Sequence, residues 1–156
     1  SYLYKQLTAF KDHARSSGVM AAIAISLSDS DMRDVAVFFA GRAHDSDPPG
    51  SPAAMAEGRQ LFLYGSQDGS VPACAACHTA GNSFMGRGMA MGHMPMMGMM
   101  GGRRAPLLYG QHAVYVISQL KAFAAATRPA TTMDQIAGAM TVQQAQAVAD
   151  YVAAHP

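Results

Sequence analysis

Cys74-Ala75-Ala76-Cys77-His78 is the stretch on which the reading of this chain turns. Two cysteines three positions apart, with a histidine directly after the second, form the haem-attachment pattern. The chemistry requires that spacing. Two thiols add across the two vinyl groups of one porphyrin edge, and the adjacent histidine then lies under the iron. Two rival readings start from the same cysteines. Zinc takes thiolates, but a closed structural site needs four ligands, and without a second cysteine pair His93 or His112 would have to join. A redox dithiol usually opens a helix in a strand–helix–strand context, which the flanking sequence lacks.

Composition limits what can surround this motif. The 156 residues are half apolar, so the chain can bury a core. A net charge of +1 gives no sign of a polyanion partner, and no nucleic acid is expected. Tryptophan is absent, alanine and glycine are plentiful and β-branched runs are scarce, which favours helices joined by loops. Two cysteines rule out a disulfide framework. No segment approaches the roughly 20 continuous apolar residues that span a bilayer. No signal peptide opens the sequence, yet covalent haem attachment generally follows export. A mature product with its signal already removed is therefore expected.

Outward from the motif, helical periodicity recurs. Tyr2 to Arg15 reads as a helix with Leu3, Leu7, Phe10 and Ala14 on one face. A short stretch from Met20 to Leu27 follows, and Ser28 with Asp31 then caps a helix carrying Met32, Val35, Ala36 and Phe39 inward. Residues 44–52, with Asp-Pro-Pro-Gly-Ser-Pro, read as a linker. Further helices are expected over 53–64, 111–126 and 141–154, the last opened by a Thr141/Gln144 capping box.

A shift of 113 places lays the start of the chain on its end without a gap. Tyr2 falls on Tyr115, Gln6 on Gln119, Leu7 on Leu120, Phe10 on Phe123, Arg15 on Arg128 and Met20 on Met133. Residues 53–156 thus form one whole unit, preceded in residues 1–43 by the back half of another.

Residues 53–156 resemble a class I cytochrome c, most closely the domains of the periplasmic dihaem cytochromes of the c-four group. The resemblance rests on Gly58 and Phe62, Cys74 to His78, Gly81-Asn82-Ser83, and Pro106-x-Leu108-x-Gly110-Gln111. Tyr115, Gln119-Leu120, Phe123, Arg128, Met133 and the closing helix around Tyr151 continue it. It implies an all-α fold wrapped around one covalent haem c, with the first and last helices crossing at Gly58, Phe62 and Tyr151. It also implies His78 and Met133 as the two iron ligands, and His/Met ligation raises the reduction potential relative to two histidines. Met133 is read as lying in a polar turn, Thr131 to Asp134, where a core methionine is not expected. The Pro106 carbonyl is expected to accept the His78 Nδ1 proton, and Arg128 to meet either a haem propionate or solvent. Filled axial positions and the absence of an acid/base set point to an electron carrier, not an enzyme. The resemblance places it in the periplasm, serving a redox enzyme or terminal oxidase.

Two features depart from that family. Residues 84–104 form a Met-rich insertion, with eight of the chain's thirteen methionines. It reads either as an adaptable lid or docking loop, or as a soft site for monovalent copper built from His93, Met94, Met96 and Met97. On the copper reading the protein is a copper binder on a cytochrome scaffold. The second departure is residues 1–40, which no Cys-x-x-Cys-His precedes. Met20 is either the ligand of a second haem held elsewhere or a core residue of a structural cap. An exposed face of Leu3, Leu7, Phe10 and Phe39 would then call for self-association or a missing half-domain.

Overall fold

The computed structural model describes residues 2–42, 45–79 and 105–155. All regular structure among them is helical: α1 (Tyr2–Lys11), α2 (Gly18–Ser26), α3 (Asp29–Ala40), α4 (Pro52–Tyr64), α5 (Ala75–His78), α6 (Ala113–Ala124), α7 (Thr131–Ala139) and α8 (Val142–Ala153). The local chemistry that starts these helices is plain. Ser28 accepts from the Asp31 amide at 3.1 Å while the Asp31 carboxylate accepts from the Ser28 amide at 2.9 Å, a complete capping box. Thr141 and Gln144 do the same for α8, at 3.1 and 2.9 Å. Ser51 caps α4, with Pro52 in the first turn, where its missing N–H is no loss.

The internal repeat is a structural one. Shifted by 113 places, α2 and α3 coincide with α7 and α8 at both ends. The turns that follow α1 and α6 also correspond, each passing through a left-handed residue, His13 at φ 56° and Ala126 at φ 53°. These residues explain why α1 stops at Lys11 and not at Arg15, and why α6 stops at Ala124. The left-handed step folds the chain back, so that the Arg15 amide reaches Ala9 O at 2.9 Å and the Arg128 amide reaches Ala122 O at 3.1 Å.

The core lies where α4 crosses α8, the most extensive helix pairing among the described residues. Gly58 makes the crossing possible. A Cβ there would stand 2.1 Å from the Ala147 carbonyl oxygen and 2.7 Å from Tyr151 Cβ. Leu61, Phe62, Val148, Ala149, Tyr151 and Val152 fill the contact, joined by Val71, Ala75 and Val116. Phe62 is completely buried, with its ring 5.0 Å from that of Tyr109 and 5.7 Å from that of Tyr151. Truncating such a ring typically costs about 3–5 kcal/mol.

The described part of the expected linker, residues 45–52, is bonded to the helices that follow. The Asp47 amide bonds Ala153 O at 2.9 Å, and the Asp47 carboxylate accepts from His112 Nδ1 at 2.7 Å and from the Ala113 amide at 2.9 Å. The expected exposed apolar face of the N-terminal unit is corrected in part. Leu7 and Phe10 are buried and Leu3 is half-buried, whereas Phe39 is exposed as expected, together with Val37 and Phe38 of α3 and Val19, Ile23 and Ile25 of α2.

Candidate functional site

The Cys-bearing segment is placed by the turn that leads into it. Gly65, at φ 83°, takes the chain out of α4 in a conformation that only glycine adopts freely, and a Cβ there would meet Val71 O at 2.5 Å. The Ser66 amide bonds Val71 O at 2.9 Å and the Val71 amide returns to Ser66 Oγ at 2.8 Å. Asp68 closes the turn, its carboxyl held down to about 2 by hydrogen bonds from Ser66 and from the Ser70 amide. Beyond it, α5 is a single turn. The Cys77 and His78 amides both reach back to Cys74 O, at 3.2 and 2.9 Å, which sets the two cysteines and the histidine along one short helix.

His78 is the buried polar side chain among the described residues. Its Nδ1 lies 2.8 Å from the Pro106 carbonyl oxygen, the partner expected from sequence. Burial lowers the basicity of the ring, against the opposing pull of the Pro106 carbonyl. With Nδ1–H donating to that carbonyl, Nε2 is the nitrogen that could meet a metal. Burial also pushes the Cys74 thiol up to about 11. A redox dithiol needs a lowered thiol, so this site is unsuited to one. Among the described residues no three His, Cys, Asp or Glu side chains converge as zinc would require. What fits is a group that brings its own equatorial ligands, takes two thioether bonds on one edge, and needs a single neutral imidazole from below. The donor set is that of covalent haem.

Met133 sits in the first turn of α7 and not in a polar turn between helices. The polar residues misled the reading because they are themselves helix-starting. Asp134 accepts from the Ala130 amide through both oxygens at 3.1 Å and so caps the helix from within. Met133 is half-buried there. Met20 occupies the same position in α2 and lines a cavity of about 630 Å³ with Leu7, Phe10 and Phe39. The copper candidates His93, Met94, Met96 and Met97, like Gly81-Asn82-Ser83, lie outside the described residues.

Arg128 is neither simply solvated nor paired with a carboxylate. It donates to Gln119 Oε1 at 2.5 Å within its own unit, and across the chain to Tyr2 Oη at 2.8 Å and Gln6 Oε1 at 3.2 Å. Arg15 mirrors it, donating to Gln6 Oε1 at 2.6 Å and across to Tyr115 Oη and Gln119 Oε1, both at 2.9 Å. The sequence aligned these residues as repeats; the only hint that the two sets meet was their polarity on otherwise apolar helix faces.

No family model matches the chain. It is 35% identical over 99% of its length to a thiosulfate dehydrogenase electron acceptor of Thiomonas intermedia, covering 66% of that protein. It is 32% identical over 97% of its length to cytochrome c4 of Pseudomonas aeruginosa, covering 69% of it. The structure of cytochrome c4 from Acidithiobacillus ferrooxidans superposes with a TM-score of 0.77 at 30% identity, covering 98% of this chain and 83% of that one. The chain spans about two thirds of the length of the curated relatives it matches. With its class I fold and haem-attachment motif, the chain belongs to the cytochrome c4 family, whose members hold haem c covalently.

Proposed function

We propose that this chain is a periplasmic electron-transfer cytochrome that holds one haem c through Cys74 and Cys77, with His78 and Met133 as iron ligands. The observation that carries the reading is the buried His78 bonded to the Pro106 carbonyl on a cytochrome c4 fold. When bound, haem supplies a one-electron couple. The chain's own residues anchor it and shape its potential. Pro106 orients the His78 imidazole, and the thioether of Met133 would favour the ferrous state of a bound haem. With His78 and Met133 both holding the iron, a substrate would find no free site on it, which suits a carrier better than an enzyme. Among the described residues no helix is long and apolar enough to cross a membrane.

By likeness to the electron acceptors named for thiosulfate dehydrogenase, such a dehydrogenase is the partner we propose. Residues 1–43 are read as the back half of a second haem unit, 44–52 as the connector and 53–156 as the haem domain, with Met20 the ligand offered to a second haem. The repeat supports this. Phe38 and Phe39 are each 55% exposed, while their counterparts Tyr151 and Val152, covered by α4, are 7% and 0% exposed. A helix like α4 would cover them; so would self-association. No observation favours the copper reading.

The test is haem and iron stoichiometry of the chain made in a host that attaches haem c, followed by Met133→Ala. One covalent haem per Cys74–Cys77 pair is expected, with a large fall in potential in the variant while haem stays attached. Absence of covalent haem would overturn the reading, and an unmoved potential would remove Met133 from its role.

A further inference from the structure

The two arginines form one device. Each guanidinium lies over a ring of its own unit, Arg15 over Phe10 at 4.5 Å and Arg128 over Phe123 at 4.6 Å. Each donates to the glutamine of its own unit and to the tyrosine and glutamine of the other. The two glutamine oxygens are therefore shared by both cations. Among the described residues no carboxylate is paired with either guanidinium, and each uses three of its five N–H groups in these bonds. Two cations bridged by neutral oxygens form a standing attraction for an anion.

The cavity of the N-terminal unit shows how the device faces a binding site. Arg15 and Met20 line it from their own unit, and Arg128, Tyr115 and Gln119 line it from across. The helices and the network repeat at 113 places. By that repeat, the counterpart wall would take Arg128 and Met133 from the home unit and Arg15, Tyr2 and Gln6 from across.

We propose that Arg15, 59 residues before Cys74 in sequence, belongs to the binding site of the haem that Cys74, Cys77 and His78 hold. It meets the propionate rim beside Arg128 and helps set the reduction potential. This rests on the haem reading above. A fixed positive charge near the rim favours the ferrous form, which carries one positive charge less than the ferric, and so raises the potential. The N-terminal unit thereby acts on the redox centre of its neighbour.

The experiment is spectroelectrochemical titration of the full haem-loaded chain. R15Q removes the charge, Y115F breaks a crossing hydrogen bond without removing charge, and Q6E sets a carboxylate between the two guanidiniums in nearly unchanged shape. R15Q and Q6E are expected to lower the potential, R15Q by an amount similar to R128Q, while Y115F stays close to the parent. If R15Q does not fold, Q6E alone decides. Potentials of R15Q and Q6E equal to the parent's, or a fall in Y115F as large as in R15Q, would overturn the inference. The underlying haem reading fails separately, by absence of covalent haem in the parent chain.

Discussion

Gly58 and Gly138 both lie inside helices, and their surroundings set opposite expectations for one added methyl. At Gly58 the methyl would stand 2.1 Å from the Ala147 carbonyl oxygen. That atom is backbone of α8 and cannot rotate away, so the crossing must open. Gly58→Ala is expected to lower stability by at least about 3 kcal/mol, the upper end for overpacking, read as a drop in denaturant midpoint. At Gly138 nothing lies within 4 Å of the added atom. Its counterpart in the repeat is Ile25, so this backbone already carries a large side chain in α2. Gly138→Ala is expected to stabilise by about 0.5–1 kcal/mol through lost unfolded-state freedom. Equal effects from the two substitutions would mean that the α4–α8 contact is not where the stability lies. At this scale the sequence was legible for the short turn through Cys74, Cys77 and His78 and for the Pro106 carbonyl that meets His78, because residue spacing alone constrains them. It was not legible for Arg15, whose partners Tyr115 and Gln119 lie a hundred residues away.

Among the elements, α6 is unusual in being capped from outside. His112 stands at its N-cap without a side-chain bond to the helix, and Asp47 supplies one by accepting from the Ala113 amide at 2.9 Å. The same carboxylate takes the His112 ring, which is the main reason its pKa lies below the ordinary 3.8, with the Ala113 amide second. A carboxyl with a lowered folded pKa adds stability that is present above its unfolded value. That stability is lost as pH falls through the folded one. The strap should therefore hold at neutral pH and release only in acid, below about pH 4. Amide exchange at Ala113 would report it, with protection steady from pH 7 to 5 and falling below pH 4. Protection that disappears nearer pH 6 would remove Asp47 from the role. Capping boxes at Ser28 and Thr141 were readable because both partners lie within four residues. The Asp47 strap was hidden because its partners are fixed only by the packed fold, and the Pro-rich composition around it looked like a free connector. The first turn of α7 was misread for the opposite reason, since Thr131, Thr132 and Asp134 favour turns and helix starts alike.

Across the whole molecule, the repeat offers a controlled comparison. α3 and α8 have the same length, the same kind of cap and the same place in their units. They differ in what lies on top. α8 is covered by α4 and buries Ala147, Val148, Ala149, Tyr151, Val152 and Ala153, whereas α3 buries only Met32 and Ala36. Apolar burial is the main source of local stability, so equivalent helices should open at different free energies. Hydrogen exchange of the haem-loaded chain should find the α8 amides exchanging near the global limit. The α3 amides should exchange through a smaller opening, even though the two capping boxes are alike. Dilution then decides the reason. If α3 is as protected as α8 at high protein concentration and loses protection on dilution, a second copy covers Phe38 and Phe39. If its protection matches that of α8 at every concentration, burial does not rank these helices, and the polar bonds of Arg15 and Arg128 must hold the N-terminal unit shut.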